Sequence, residues 1–398
     1  MLVQFTLKNF LSFKERTTLD FAAINAYKEH QYHLIDNGTK EKLIRVTAIY
    51  GANASGKSNL ACGMYSFQRI VAESMNNVSD HESSTISKCY MPFAFDNEDR
   101  NTEFEIVELL GEYEYRYGFE YNADYIVSEW MYRKSISTNR TSTILERNEE
   151  KIAFGPLARK FCDIYREQIP AETLALSFFQ RLKLETDVFK TLYEGIMDTL
   201  VSESSQFEND NILKEYLPQV IEEDKTELLE FLQAIDTGIK DIECVEGDRD
   251  CNFYTTHTDI KGNIHRINLF NESEGTIKCI CIYIFARVAI MTDSSLFVDE
   301  LNVKLHPLLL KFIVDLFYND RSRAQLIYTP HDTTLMDRKF FRRDQIWFVQ
   351  KDEFGHSELT ALSDFKVRSD ASFEKDYLAG VYGGIPLIKE FEMGEGER

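Results

Sequence analysis

The chain has 398 residues, 43% of them hydrophobic and including 29 Phe and 20 Tyr, enough for a sizeable core in one elaborated domain or two. Its formal net charge of −21 argues against a surface that coats nucleic acid, because phosphate binding rests on Lys and Arg; only "RSR" at 321–323 and "DRKFFRR" at 337–343 are locally basic. Seven scattered cysteines, an N-terminus without a leader layout, and no uninterrupted apolar run near the roughly 20 residues of a membrane helix point to a reduced cytoplasmic protein without a disulfide scaffold, zinc site or membrane span.

Strands are expected first, over "MLVQFTLKNFLSF" and "TTLDFAA". "KLIRVTAIY" reads as an apolar strand, "GANASGKSN" as a Gly-containing loop, and "LACGMYSFQRIVAESM" as the helix that follows. From about 88 to 135 the pattern is β-rich. In "YEYRYGFEY" the residues Tyr113, Tyr115, Tyr117, Phe119 and Tyr121 share one face, and "NAD" at 122–124 suits a hairpin turn. From about 156 to 240 strand signals fade and helical patterns dominate, with "SESSQFENDN" at 202–211 as an exposed loop between them. A hairpin around "KGN" at 261–263, a helix after "ESEGT", the strand "SLFVDE", a helix from His306 and the strands "AQLIYTPH" and "QIWFVQK" complete the chain. This divides it into 1–155, a helical insert at 156–245, and 246–398.

The stretch at 51–58 fits G-x-x-x-x-G-K-[ST]. Gly51 and Gly56 permit a tight loop whose backbone N–H groups surround phosphate, Lys57 supplies a mobile cation, and Ser58 offers a hydroxyl to Mg²⁺. The helix that starts there points its positive end at the anion. Asn53, Ser55 and Asn59 complete the candidate ATP-binding set. "SLFVDE" delivers Asp299 to a metal shell and Glu300 to an attacking water, and His331 stands at the exit of a second strand as a γ-phosphate sensor.

Together these residues resemble the ABC-type ATPases of the SMC, RecF and OLD group: "KNFLSF", "GANASGKSN", "SEGT", "FVDE", "LHP" and "TPHD" follow in that group's order. The C-terminal "RRDQIWFVQKDEFGHSELTALSDFKVRSDASFEKDYLAGVYGGIP" is similar to the AbiLi/RloA-type ATP-binding proteins of phage-defence operons, with PARIS AriA and Septu PtuA as relatives. The resemblance implies an α/β fold, an ABC-type P-loop ATPase head with a β-rich subdomain and an inserted helical lid, without a long coiled coil. It implies that Ser273, Gly275 and Thr276 open a helix that meets the γ-phosphate on an opposite subunit; Ser273 or Thr276 as an ordinary N-cap explains the same residues. The sequence departs from the group at Glu274, where a neutral residue is commonest, at Leu11, where many relatives carry Arg, and in lacking a Q-loop Gln within "MPFAF" at 91–95.

The expected function is a Mg²⁺-dependent ATPase that closes an ATP sandwich between two copies, as a homodimer or a higher oligomer of dimers. By the resemblance it is a sensor or regulator in abortive infection, triggered by nucleic acid or a phage component and acting through a separately encoded effector such as a Toprim-like or other nuclease. A RecF-like DNA-repair clamp and a self-contained nuclease are the alternatives; the net charge counts against the first, and a lack of acidic ligands outside the ATP site against the second.

Overall fold

A computed structural model describes residues 1–39, 41–76, 84–95, 101–149, 151–203, 210–246, 251–368 and 371–386. Two large sheets enclose one helix. The first is antiparallel, in the order Ile152–Phe154, Thr141–Arg147, Ile126–Ser135, Tyr113–Tyr121, Thr102–Leu110, Leu2–Lys8 and Thr17–Asp20. Period-2 alternation forms it. Tyr115, Tyr117, Phe119 and Tyr121 are buried while Arg116 between them is exposed. The turn after Tyr121 is held by the Asn122 side chain, which accepts from the N–H groups of Asp124 and Tyr125.

The second sheet runs Leu200–Glu203, Ser295–Asp299, Gln325–Tyr328, Val46–Gly51, Ile346–Lys351 and Ser357–Ala361; all neighbours are parallel except the last pair. Both its faces are covered, so its strands are near-continuous apolar runs. Val46, Ala48 and Tyr50 belong to one core and Ile49 to the other. The Ile49 side holds the helix Lys57–Glu73, whose Leu60, Met64, Phe67, Ile70 and Val71 pack against Phe5, Phe104 and Phe119 of the antiparallel sheet. The opposite core is filled by the helices Asp210–Ala234, Glu274–Thr292 and Pro307–Leu316.

The stretch 156–245 differs from a purely helical lid. Leu200–Glu203 is a strand that pairs in parallel with Ser295–Asp299, directly beside the strand that carries the acids. Four residues are too few for a periodic pattern to reveal. The helices around it are core elements: Phe189, Leu192 and Ile196 enter one core and Leu213, Leu217, Leu228 and Leu232 the other. Most of the loop expected at 202–211 lies outside the described residues, and where described its ends are strand and helix. Asp210–Ala234, 25 residues and interrupted at Asp224 (φ −155°), is the longest helix among the described residues.

Glu274–Thr292 is long and apolar enough to cross a membrane by length and composition, at 19 residues and mean hydropathy 1.6. Half of that span is buried within the protein, where Ile280, Cys281, Tyr283 and Ile284 join the second core. A helix hydrophobic all round is also what a core between sheet and helices requires.

Candidate nucleotide site

The carboxyl ends of four adjacent parallel strands converge at Gly51, Asp299, Tyr328 and Lys351, the edge at which open α/β sheets bind ligands. The loop from Gly51 to Gly56 is tight because its glycines are pressed from behind. A Cβ on Gly51 would stand 2.5 Å from the Val349 carbonyl oxygen. Gly56 has φ +114°, and a Cβ there would stand 2.5 Å from Ser357 Oγ and 2.7 Å from Ser12 Oγ. Those serines brace the loop. The Ser357 hydroxyl donates to the Ser55 carbonyl at 2.6 Å and lies 2.7 Å from Ser12 Oγ, which accepts from the Asn59 amide at 2.6 Å.

Gly56 caps the helix Lys57–Glu73 without a side chain, and no acid sits in its first turn. The helix dipole is therefore left for an anion. The Ser55 hydroxyl is buried without a hydrogen-bond partner. Lys57 is 5% exposed, and its ammonium donates to the carbonyls of Gly51 (2.7 Å) and Ala52 (3.0 Å). Burial lowers its pKa, against the opposing pull of Asp299 and Glu300.

Asp299 is buried and accepts the Thr329 hydroxyl, which in turn accepts the Glu300 backbone N–H at 2.7 Å. Glu300 follows the strand end with φ +54°, and its Oε1 lies 3.3 Å from His331 Nε2. The His331 backbone N–H donates to Asn302 Oδ1 at 3.0 Å. A cavity of about 410 Å³ is lined by residues 53–59, Glu300, His331 and Lys351. It is large enough for a nucleotide's phosphate end. Gly51 and Asp299 do not line it.

Ser58 and Asp299 would offer the hard oxygen donors that Mg²⁺ takes, with the rest of its shell left to phosphate and water. Among the described residues no group of three or more His, Cys, Asp or Glu could hold a metal ion by itself.

Ser273, Gly275 and Thr276 do not line this cavity. Ser273 caps the helix Glu274–Thr292, accepting the Thr276 N–H at 3.1 Å. The charge of Glu274 is drawn aside: its carboxylate pairs with Lys304 at 3.2 Å. Gly275 lies against the same residue, where a Cβ would come within 3.2 Å of the Lys304 carbonyl.

No local motif in the sequence gives a role to Lys351, Thr329, Ser12 or Ser357. Lys351 closes the apolar run "QIWFVQK", but its nearness to the loop follows from strand order: Val349 is paired with Gly51. Ser12 and Ser357 are separated by 345 residues, so only the fold joins them.

Among solved structures, the SMC head domain from Thermotoga maritima is 15% identical, with a TM-score of 0.44 over 90% of this chain and 98% of that one. An SmcHead bound to the C-winged helix domain of ScpA is 13% identical, at 0.43 over 94% and 99%. An Smc head with an extended coiled coil, bound to the C-terminal domain of ScpA derived from Pyrococcus furiosus, is 13% identical, at 0.37 over 96% and 99%. A search of curated proteins finds no match. Residues 46–337 match the family described as "AAA domain, putative AbiEii toxin, Type IV TA system", and the chain belongs to that AAA-domain family.

Proposed function

We propose that this protein is a Mg²⁺-dependent ATPase of the AbiLi/RloA type, whose ATP-bound state is a two-fold sandwich of two copies. It serves as a sensor or regulator in abortive infection and acts through a separately encoded effector, a Toprim-like or other nuclease. The observation that supports it is the division of residues between two surfaces. The phosphate loop, Glu300 and His331 share one cavity, while the capped helix end at Ser273 stands outside it.

In this reading the backbone of residues 53–58 holds the phosphates, and Lys57 leaves the carbonyls of Gly51 and Ala52 to follow them. Ser58 and Asp299 hold Mg²⁺, which neutralises phosphate charge when bound. Glu300 orients a water and takes its proton, with His331 3.3 Å away to read the terminal phosphate. Ser273, Gly275 and Thr276 complete the second copy's site, and the Glu274–Lys304 pair removes the like charge that would oppose a phosphate there. Two-fold symmetry then gives two such sites, and hydrolysis releases the closed state.

The test is the solution mass of the Glu300→Gln variant by light scattering, with ATP binding followed in parallel. A mass that doubles only with Mg-ATP, and no longer doubles in Glu300→Gln combined with Ser273→Arg, supports the sandwich. ATP binding with an unchanged monomer mass overturns it.

A further inference from the structure

The strand order gives the nucleotide site a direction. Glu300 and His331 follow the strands Ser295–Asp299 and Gln325–Tyr328, both on one flank of the loop strand Val46–Gly51. Lys351 ends the strand on the other flank. A triphosphate whose terminal phosphate meets Glu300 and His331 therefore extends across the loop toward Lys351. On that path the nucleoside end falls on the side of the hairpin, which Ile346–Lys351 and Ser357–Ala361 form.

That side carries two large exposed rings. Phe354, in the turn of this hairpin, is 67% exposed, and Phe95 is 78% exposed. Both belong to one aromatic group. Phe93 lies 5.5 Å from Phe95 and 4.7 Å from His356, and Phe354 lies 6.4 Å from His356. Phe95 is seated on Gly355, where a Cβ would come within 2.8 Å of its ring.

The group is fixed to the phosphate loop by the chain on either side. Asp352 Oδ1 accepts the N–H groups of Phe354 (2.9 Å) and His356 (2.8 Å), which sets the turn. The next residue, Ser357, is the one that braces Ser55 and faces Gly56. The Phe93 N–H donates to Asn9 Oδ1 at 2.9 Å and the Leu11 N–H to the Met91 carbonyl at 2.7 Å, tying residues 91–93 to the turn that carries Ser12. Rings that stand open to solvent, on backbone tied to the phosphate loop, suit a purine, because stacking on a planar base needs a ring face and no hydrogen-bond pattern.

We propose that this hairpin is the nucleoside-end subsite: Lys351 pairs with the inner phosphate of a nucleoside di- or triphosphate, and Phe95 and Phe354 stack on its purine base. The inference rests on the nucleotide-binding part of the proposed function and not on the dimer.

Calorimetric titration of the full chain carrying Glu300→Gln, with Mg-ATP, Mg-ADP and Mg-tripolyphosphate, tests it. Lys351→Ala should weaken ATP and ADP by the same factor, about tenfold, since the inner phosphate is common to both. Phe95→Ala with Phe354→Ala should weaken ATP and ADP about tenfold and leave tripolyphosphate unchanged. All three side chains are exposed, so unchanged melting temperatures keep the comparison valid. A Lys351→Ala loss confined to ATP would move that residue to the terminal phosphate and overturn the direction. Ring variants that bind ATP as the parent does, or that lose tripolyphosphate equally, would overturn the stacking. If the parent binds ATP and Lys57→Ala abolishes it while these variants change nothing, this subsite alone fails. If the parent binds no ATP, the proposed function fails with it.

Discussion

Thr329 donates its hydroxyl to the buried Asp299 carboxylate while accepting the Glu300 backbone N–H at 2.7 Å. One side chain thereby fixes both the Asp299 carboxylate and the backbone of Glu300. Thr329→Val keeps the shape but leaves the Glu300 N–H unpaired, which costs about 1–3 kcal/mol for a buried donor. The expected result is ATP binding near the parent's, with turnover reduced at least about tenfold because Glu300 loses its aim. Steady-state hydrolysis set beside an equilibrium ATP titration checks it, and a variant with full turnover would mean Thr329 is only a packing residue.

Gly56 should tolerate no side chain. Gly56→Ala places a methyl within 3 Å of both Ser357 Oγ and Ser12 Oγ, at a backbone angle of +114° that L side chains rarely adopt. The loop can relieve this only by moving off the serine brace, with strain on the order of 1–3 kcal/mol. Loss of ATP binding with a folded circular dichroism spectrum is expected. Ser12→Ala removes the bond to Asn59 without adding volume, so its loss of affinity should be smaller than that of Gly56→Ala. Equal losses would show that the brace, rather than the space, sets the loop.

The contrast between these positions explains what could be read from the chain. The loop at 51–58 and the acids at 299–300 are legible because each lies at the end of a local apolar run, and a strand end followed by a loop is a short-range pattern. The aromatic alternation at 113–121 is legible for the same reason. Ser12, Thr329, Ser357 and Lys351 acquire their roles from pairings between distant segments, such as Val349 with Gly51, and no local pattern encodes strand order. The strand Leu200–Glu203 is hidden by brevity and by its helical neighbours, and only its parallel pairing with Ser295–Asp299 shows it to be part of the sheet that carries the acids. Glu274 is a misplaced charge near phosphate by sequence alone, and its partner Lys304, 3.2 Å away, lies thirty residues later in the chain.

Glu129 is a structural carboxylate outside the site. It is fully buried, lies 3.8 Å from Arg147, and accepts from Tyr117 Oη (2.9 Å) and from the N–H groups of Ala175 (2.8 Å) and Leu176 (3.0 Å). It thus ties the strand Ile126–Ser135 to the start of the helix Ala175–Phe179. Glu129→Ala strands the Arg147 charge and three donors at once, and should destabilise by about 3–5 kcal/mol. Urea unfolding checks it, read as the shift in midpoint at unchanged slope. A shift worth less than about 1 kcal/mol would mean that water replaces the carboxylate.

Burial of Glu108 gives the fold a pH dependence whose sign follows from the raised carboxyl. The residue is 2% exposed, its Oε2 has no hydrogen-bond partner, and burial pushes its carboxyl up to about 7; the N-terminal amine opposes this shift and Asp198 adds to it. The folded state therefore binds a proton that the unfolded state has already released between pH about 4.5 and 7. More protons bound in the folded state means that stability falls as pH rises. The contribution is complete below about pH 4.5 and is lost by about pH 7, with a span of about 3 kcal/mol from a shift of about 2.5 units. Glu108→Gln removes the ionisation while keeping the volume. The difference in unfolding free energy, variant minus parent, should grow in the variant's favour from pH 5 to pH 8. A difference that stays flat, or that grows in the parent's favour, would mean that the Glu108 carboxylate is stabilised in the folded protein, most directly by the N-terminal amine.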